Sequence, residues 1–593
     1  MTPETRALLR PATGEVRLAL TALRPSFRRS AWFTLTAGLL MLMPSWYMLE
    51  VYGRVVSSRS HMTLLMLTLL VLGAYAVMEV LHWAHAGVLQ QAALVLDRKL
   101  SGRIFGATFE ANLRRIPGGT TQPLNDLRVL REFLPGPLLG ALMEAPVALV
   151  FLALIFAISP VLGWAAVIGA LLQALVAWLN ERRTRPPLSA ANRSALAAQQ
   201  YADGSLRNAQ VIEAMGMLAD IHRRWIARQR EFLSLQALAS ERAGVFTSIS
   251  RFIQVVTGSL LLGLGAWLLL RNDFPGGPAL MIVGSILGGR VLQPLVQIIT
   301  QWRTAVAARD ALQRLEALLA AVPARPGNMA LPAPRGQLLA ENLVVAAPGA
   351  QAAILKGVTF ALRPGEVLAV IGPSAAGKTT LARVLAGLWP SAGGKARLDG
   401  ADIHAWDKSE LGPHVGYLPQ GVELFDGTMA DNIARFGQVD PEKVEQAARA
   451  VGLHEFIMAL PQGYDTEIGP DGMRLSGGQR QRVGLARALY GDPVFVILDE
   501  PNSSLDEAGD GALVTAIAQH KARGATFVVI THRTSVLGVA DRILLLRDGA
   551  AQAFGPRDEV LAALAKAREQ AQPALQQRRN AEAAARPMAE VAA

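Results

Sequence analysis

Six long apolar stretches lie in the first 300 residues of the chain, and each has the length of about 20 residues with which a helix spans about 30 Å of hydrocarbon. Helices at the surface of a soluble core are apolar on one face only, whereas these stretches are apolar on nearly every side. We therefore predict six membrane-spanning helices rather than buried helices of a soluble domain. They cover Ala31–Glu50, Thr63–Trp83, Leu138–Ser159, Pro160–Leu179, Phe252–Leu270 and Leu280–Ile299.

The connections between the spans alternate in length and in charge. Three are short, whereas the second–third and fourth–fifth connections are long and rich in helix formers, as in Leu89–Phe109 and Ser189–Ala243. The long connections are predicted to be helices that continue from the bilayer into water. Lys and Arg total 23 in residues 1–30, 84–137 and 179–244, but 3 in the short opposite loops. Because cytoplasmic loops carry the excess of basic residues, both termini and the long connections are predicted to be cytoplasmic.

One arginine, Arg290, lies inside the sixth apolar stretch. A charge within the hydrocarbon is costly and by default indicates a function, or a side chain that faces the interior of the bundle. A purely structural pairing with a carboxylate or with helix carbonyls explains it equally well. The sequence leaves both interpretations open.

The composition agrees with a chain that is part membrane and part cytosol. Of the 593 residues, 51% are hydrophobic and 18% are charged, which excludes a disordered protein. The absence of cysteine excludes a disulfide framework, thiolate metal sites and a thiol nucleophile. The net charge of +11 could suit nucleic acid, but the basic cytoplasmic loops account for much of it, so no nucleic-acid partner is expected.

The pattern changes after Leu319. Residues 321–336 contain four prolines and two glycines, as a linker does. Beyond them, short continuous runs rich in Val and Ile predict parallel strands buried on both faces of an α/β sheet, at Val367–Ile371, Val494–Leu498 and Thr526–Ile530. The predicted organisation is an N-terminal arm (1–30), a membrane domain (31–320), a linker (321–336), an α/β domain (337–560) and a tail (561–593).

A phosphate-binding loop follows the first of these strands and opens a helix. The residues fit G-x-x-x-x-G-K-[ST], in which glycines let backbone N–H groups wrap phosphate oxygens at a helix N-terminus. Lys378 is predicted to reach the β- and γ-phosphates, and the Thr379 hydroxyl to ligate Mg²⁺. The predicted fold class is thus a six-span membrane α-helical bundle joined to an α/β P-loop NTPase domain. The predicted nucleotide site comprises Gly372, Pro373, Ser374, Ala375, Ala376, Gly377, Lys378, Thr379 and Thr380.

Two carboxylates, Asp499 and Glu500, end the strand Val494–Leu498. A Mg²⁺-bound nucleotide needs a carboxylate at the carboxyl end of a strand beside the phosphate loop. We assign Asp499 to the metal and Glu500 to the attacking water as general base.

A second anion-binding element starts the helix Arg480–Tyr490. Its residues Ser476, Gly477, Gly478 and Gln479 repeat the physics of the first loop, since small residues leave backbone N–H groups bare at a helix start. The chain therefore offers two phosphate-binding surfaces but one complete phosphate loop.

With this second element the chain resembles the ABC transporter family over nearly its whole length. Leu475–Gln479 matches the family signature letter for letter, Gln420 matches the Q-loop, Ser503–Asp506 resembles the D-loop, and His532 matches the switch histidine. The resemblance implies ATP and Mg²⁺ as cofactors and ATP hydrolysis coupled to transport. It also implies that Gln420, Asp506 and His532 act with Glu500 in catalysis, and that Gln420 ligates the metal.

The resemblance further implies a homodimer, because the signature of one subunit closes over the ATP on the phosphate loop of the other. Six spans and one ATPase domain are half of the usual transporter. One departure concerns the base: members commonly place an aromatic residue near the start of the ATPase domain, whereas Val344–Gly349 contains no Tyr or Phe. Loose base selectivity is expected.

Long cytoplasmic extensions and a C-terminal ATPase domain resemble ABC exporters, with coupling helices expected near Ile116–Asn125 and Ser205–Met217. Thr466–Gly469 resembles the exporter X-loop. Three stretches resemble the PrtD-like branch of type I secretion ATPases, although Glu50 and Gly53 depart from the usual Gln and Asp. These stretches are Tyr47–Val55, Ala209–Met217 and Ser285–Arg290.

That branch implies export of an unfolded protein with a C-terminal signal across the bacterial inner membrane. It implies a periplasmic adaptor (membrane fusion protein) and an outer-membrane channel as partners, besides membrane lipid. The nucleotide motifs alone suit an exporter of lipid, glycan or small molecules equally well. A nucleic-acid-handling ABC ATPase is disfavoured by the six spans, and a membrane sensor without turnover is disfavoured by the intact Asp499–Glu500 pair.

Overall fold

The computed structural model describes residues 14–274, 277–324, 330–348, 350, 352–469, 472 and 474–566. The chain divides into two compact units, with the boundary after Ala324. Parts of the predicted arm (1–13), linker (325–329) and tail (567–593) lie outside the described residues.

The first unit is all-helical, and among its described residues six helices are long and apolar enough to cross a membrane, as predicted. Three of them have 48–53 residues, far more than the span of about 20 that a bilayer requires, so they extend well beyond it. A π-helical turn, Val51–Val55, and one further turn, Val56–Ser58, follow the first span. The helices are α1 (Glu15–Ala22), α2 (Arg24–Leu40), α3 (Met43–Glu50), α4 (His61–Leu113), α5 (Gln122–Phe133), α6 (Pro137–Ile158), α7 (Pro160–Arg207), α8 (Ala209–Ala214), α9 (Leu218–Leu270), α10 (Gly277–Thr300) and α11 (Trp302–Ala321).

The helices of the bundle pack closely where they carry glycine. A Cβ built on Gly288 of α10 would lie 2.0 Å from Cδ1 of Leu261 on α9, and one on Gly38 of α2 would lie 2.7 Å from Cγ2 of Val147 on α6. These distances are far below van der Waals contact, so the small residues set how near the helices approach.

The structure has a helix at or near each of the two positions where coupling helices are expected. The stretch Ser205–Met217 contains the short helix α8. In the first connection, however, residues 116–121 are turns and α5 begins only at Gln122. Pro117 and the left-handed Gly118 (φ +99°) explain why no helix starts earlier.

A buried ion pair joins α5 to α11. Asp126 is 1% exposed, and its two carboxylate oxygens accept hydrogen bonds from Arg314 Nε (2.9 Å) and Nη2 (2.7 Å). Gln122 Nε2 donates a further bond of 2.9 Å to Asp126 Oδ1. The two-pronged pair raises the pKa of Arg314 through its hydrogen bond to Asp126.

The second unit is α/β and contains two sheets among its described residues, with strand orders β2-β1-β4-β5 and β10-β9-β3-β8-β7-β6. In the larger sheet β9, β3, β8, β7 and β6 run parallel, and β10 pairs antiparallel at the edge. The strands are β1 (Leu338–Ala346), β2 (Ala353–Leu362), β3 (Val367–Ile371), β4 (Gly393–Leu398), β5 (Ala401–Asp402), β6 (Val415–Leu418), β7 (Phe495–Asp499), β8 (Thr526–Ile530), β9 (Arg542–Arg547) and β10 (Ala550–Pro556).

Helices, together with the smaller sheet on one side, cover both faces of the larger sheet. Its central strands are buried except at the half-buried Ile371, as the runs of Val and Ile predict. The fold class predicted from the sequence is confirmed. The helices are α12 (Lys378–Leu385), α13 (Lys408–Leu411), α14 (Met429–Ile433), α15 (Pro441–Ala450), α16 (His454–Met458), α17 (Gly477–Leu489), α18 (Glu507–Ala522) and α19 (Thr534–Leu537).

Replacing Asp126 by Asn should destabilise the membrane unit. The substitution removes a buried charge and leaves Arg314 without the carboxylate that accepts its two hydrogen bonds. The free energy of unfolding should fall by about 1–3 kcal/mol, and not by more, because Arg314 is itself half-exposed. The measurement is the apparent thermal unfolding midpoint of the purified protein in detergent. Arg128→Ala is the matched control, since the Arg128–Glu132 pair on the same helix is exposed and should matter little. Equal midpoints for Asp126→Asn and Arg128→Ala would contradict this interpretation.

Candidate nucleotide site

The phosphate loop connects β3 to α12, and its shape requires glycine. Gly372 and Gly377 have φ of +153° and +97°. A Cβ on Gly372 would lie 2.1 Å from the carbonyl oxygen of Leu546 in β9, so no side chain fits there. A glycine-rich loop that leads directly into the start of a helix is the arrangement that binds phosphate.

Lys378 lies at the start of α12 and is 7% exposed. Its ammonium group donates to the carbonyl oxygens of Gly372 (2.7 Å) and Pro373 (3.0 Å). A buried ammonium held by carbonyls alone has no counter-charge in these bonds, so an anion in the loop would be strongly favoured.

The other predicted residues meet at the same edge of the sheet, because four neighbouring strands, β3, β8, β7 and β6, run parallel. Their carboxyl ends carry, in spatial order, the phosphate loop, His532, Asp499 with Glu500, and Gln420. The carboxyl edge of such a sheet is where α/β proteins bind ligands.

Glu500 is fixed in place by its neighbours. It adopts a left-handed backbone (φ +52°), a conformation that non-glycine residues keep mainly where the structure enforces it. Its Oε2 accepts a hydrogen bond of 3.0 Å from Gln420 Nε2. His532 Nε2 lies 3.9 Å from Oε1. A hydrogen bond from Gln420 thus orients the carboxylate, and His532 lies beside its other oxygen.

Asp499 is the least satisfied polar group of the site. It is 1% exposed, and within the described part of the chain neither carboxylate oxygen has a hydrogen bond of normal geometry. Burial raises the pKa of the Asp499 carboxyl above its usual range, the nearby Thr379 hydroxyl lowers it in part, and the charge of Glu500 raises it further. A buried carboxylate of this kind fits a cation.

One residue that the sequence did not indicate also acts on Asp499. Arg383 lies one turn after Thr379 on α12, and its positive charge lowers the pKa of Asp499. It also lowers the pKa of Tyr417 by its charge, against the larger effect of burial, and lies over the ring of Trp389. The spacing of four residues from Thr379 places both side chains on one helix face, and that spacing is the signal that could have revealed it.

The second anion-binding element begins α17. Ser476 and Gln479 form a capping box, with Ser476 N donating to Gln479 Oε1 (2.8 Å) and Gln479 N to Ser476 Oγ (3.3 Å). A Cβ on Gly478 would lie 2.9 Å from the carbonyl oxygen of Ser504. The cap satisfies two N–H groups, and the two glycines between carry no side chain that could cover theirs.

Asp506 belongs to this second group rather than to the carboxylate pair. It caps α18 by accepting from Gly509 N (2.9 Å) and pairs with Arg482 of α17. The bond from the Gly509 backbone, followed by that from Arg482, holds the pKa of Asp506 below its usual range. The predicted residues thus form two groups in one chain, and no hydrogen bond or ion pair among the described residues joins the signature side chains to the phosphate loop.

Comparison with known proteins agrees with this geometry. The protein-family model "ABC transporter" matches residues 355–503, and the family model "ABC transporter transmembrane region" matches residues 30–287. The type I secretion system ATP-binding protein PrsD of Rhizobium meliloti is 42% identical over 525 residues, which are 88% of this chain and 90% of that protein. The ATP-dependent lipid A-core flippase of Pseudomonas aeruginosa is 31% identical over 61% of this chain and 60% of that one.

A solved structure shows the same fold. A bacterial Atm1-family ABC exporter with ATP bound superposes with a TM-score of 0.79 over 92% of this chain and 97% of that chain, at 22% identity. Together with the relative at 42% identity and the two family models, this likeness covers both the helical and the α/β unit. The chain belongs to the ABC transporter family, as a multi-pass membrane protein whose α/β domain binds ATP and couples its hydrolysis to transport.

Proposed function

We propose that the protein is the ATP-driven permease of a type I secretion system, and that a homodimer exports an unfolded polypeptide across the bacterial inner membrane. The observation that carries the proposal is the likeness to PrsD, which is 42% identical over 525 residues, 88% of this chain, so that the aligned length includes most of the membrane unit. The membrane unit would select the cargo, whereas the nucleotide motifs are common to the whole family.

The second candidate is export of a lipid or another amphipathic small molecule. The 31% identity to a lipid A-core flippase favours it. That likeness covers about 60% of each chain, compared with about 90% for PrsD. We therefore place polypeptide export first.

For hydrolysis, we propose that Gly372–Thr380 cradles the phosphates of ATP, with Lys378 on the β- and γ-phosphates. Thr379, Gln420 and Asp499 would hold Mg²⁺, which neutralises phosphate charge when bound. The unpartnered oxygens of Asp499 support this assignment. No described group of three His, Asp or Glu side chains could hold a metal alone. Mg²⁺ usually takes one or two carboxylates and completes its shell with phosphate and water.

Glu500 would polarise the attacking water, since its carboxylate is held by Gln420 and faces His532. His532 would hold the opposite side of this carboxylate and contact the terminal phosphate. Asp506 would act from the dimer seam, where its cap on α18 positions the signature helix through Arg482.

A second copy would complete each site. Ser476–Gln479 starts a helix with bare glycine N–H groups and has no phosphate loop of its own chain bonded to it among the described residues. The helical extensions also carry apolar side chains that are exposed to solvent in a single copy, such as Phe105 (62% exposed), Phe109 (61%) and Leu206 (73%). An isologous dimer would bury such surfaces and create two identical sites.

The assembly follows from the same proposal. Both termini and the ATPase domain (337–560) would be cytoplasmic, after the arm (1–30), the membrane domain (31–320) and the linker (321–336). A periplasmic adaptor and an outer-membrane channel would continue the path for the cargo. The tail (561–593) is given no role in this scheme.

The cargo prediction concerns stimulation of ATP hydrolysis. The purified protein in lipid nanodiscs should hydrolyse ATP faster when given the C-terminal segment of a cognate secreted protein, because that segment would be bound by the membrane unit. Lipid A should leave the rate unchanged. The response should vanish in Glu500→Gln, because loss of the general base should lower the rate of hydrolysis about 100-fold or more. It should persist in Glu507→Gln, which changes an exposed carboxylate nearby. Stimulation by lipid A but not by any cargo segment would favour the second candidate.

The Asp499 prediction concerns pH and stability. Since burial raises its pKa, the ionised carboxylate costs stability at neutral pH in the nucleotide-free protein, and this cost disappears as pH falls through the raised pKa. Asp499→Asn should therefore stabilise the nucleotide-free protein at pH 7.5, by about 1–2 kcal/mol, with a smaller gain at lower pH. The same variant should lose the stabilisation that MgATP gives the parent.

Thermal unfolding midpoints with and without MgATP measure both effects. Asp548→Asn is the control, because Asp548 is 90% exposed and already left-handed (φ +50°), a conformation that Asn tolerates. A destabilised nucleotide-free Asp499→Asn protein would contradict the assignment.

A further inference from the structure

A group of polar side chains lies among the helices of the membrane unit, far in sequence from the nucleotide site. We call it the membrane polar cluster. Three of its four ionisable members, on α4, α6 and α10, fall inside the apolar stretches predicted to span the bilayer. Ionisable residues at such depth are costly and rare unless they serve a purpose. The members are His82, His85, Glu144, Arg290 and Gln293.

His85 bridges two helices. Its Nδ1 lies 2.7 Å from Ser30 Oγ and 2.8 Å from Thr34 Oγ1, both buried hydroxyls of α2. The carbonyl oxygen of Ser30 lies 3.3 Å from the same nitrogen. These three oxygens surround Nδ1, whereas Nε2 has no hydrogen bond among the described residues and is the nitrogen open to a further partner.

That second nitrogen faces α6. A Cβ on Gly140 would lie 3.9 Å from His85 Nε2. Glu144 follows Gly140 by four residues, so it lies one turn further on the same face of α6. His82 precedes His85 by one turn on α4 and lines the same small cavity as Glu144. The two histidines thus lie along the face of α6 that carries the carboxylate.

The charges around Glu144 come from every helix packed there. His82 and His85 of α4 and Arg290 of α10 act on it electrostatically, while α2 offers the hydroxyls of Ser30 and Thr34. Arg290 Nη1 donates to Gln293 Oε1 (3.0 Å) rather than to a carboxylate. The cavity between His82, Glu144 and Arg290 measures about 20 Å³, enough for about one water.

The net charge of the cluster depends on whether its two imidazoles carry an extra proton. Glu144 and Arg290 balance each other when both are ionised and both histidines are neutral. Imidazole changes charge between about pH 5 and 8. A proton on His82 or His85 is favoured by Glu144 and opposed by Arg290, so its affinity depends on how near α4, α6 and α10 lie to one another.

We propose that the membrane polar cluster is a proton-binding site whose occupancy changes when the membrane helices rearrange, so that the transport cycle is linked to pH. Movement of α4 away from α6 would weaken the attraction between the imidazolium and Glu144 and release the proton. Closer approach would take it up. This holds for any cargo and does not depend on the type I secretion assignment.

The first test counts protons without hydrolysis. In Glu500→Gln, MgATP binding should drive the rearrangement without turnover, and calorimetry in buffers of different ionisation enthalpy gives the protons exchanged at pH 6.5. Adding His82→Gln and His85→Gln together should lower that number by at least half. His61→Gln, an exposed histidine of the same helix, should leave it unchanged. Equal proton numbers for the double variant and for His61→Gln would overturn the proposal.

The second test changes the two opposite charges, Glu144 and Arg290. It can be carried out even if the histidine variants fail to fold. The midpoint of the pH profile of ATP hydrolysis should move to lower pH in Glu144→Gln, by about one unit, and to higher pH in Arg290→Gln. A general loss of stability would move neither midpoint in a set direction. Midpoints that stay in place, or that move the same way in both variants, would overturn the proposal.

Discussion

The structure depends on two buried charged groups at one edge of a sheet whose hydrogen bonding the chain leaves incomplete. Lys378 donates to carbonyl oxygens alone, and Asp499 has no hydrogen bond of normal geometry on either oxygen among the described residues. The charges of Lys378 and Arg383 act favourably on the Asp499 carboxylate, but burial without full hydrogen bonding still costs free energy. A ligand that carries phosphate oxygens and a divalent cation would satisfy both groups at once. Binding of such a ligand would therefore be favoured by how the fold buries these groups.

The parallel order of the strands explains why those groups meet. β3, β8, β7 and β6 are neighbours that run the same way, so residues more than 100 apart in sequence reach one edge. The second anion-binding element starts α17, bonded to the loop after Glu500 through Gln481 Nε2 and the carbonyl of Pro501 (2.9 Å). The carboxylate that would activate water is thereby tied to the helix that would contact the nucleotide of a second copy. Closure of such a seam can then be coupled to chemistry.

Local patterns predicted much of this, and tertiary contacts decided the rest. The strands Val367–Ile371 and Thr526–Ile530 were predicted to the residue, because continuous apolar runs are bounded by polar or glycine residues. The helix expected near Ile116–Asn125 begins only at Gln122, because Pro117 and Gly118 do not continue a helix. The association of His82 with Glu144 had no sequence signal, because single polar residues on separate helices carry no spacing. The sequence marks Arg290 as a charge in an apolar stretch, but only the packed helices show which side chains surround it.

The account requires that each ATP lie between the phosphate loop of one copy and the signature of the other. Mixed dimers of differently tagged copies test this directly. If sites form between copies, a dimer with Lys378→Ala in one copy and Ser476→Arg in the other keeps one intact site and should hydrolyse ATP. A dimer with both substitutions in one copy and none in the other should be inactive, because each site then carries one defect. The reverse pattern would contradict the account.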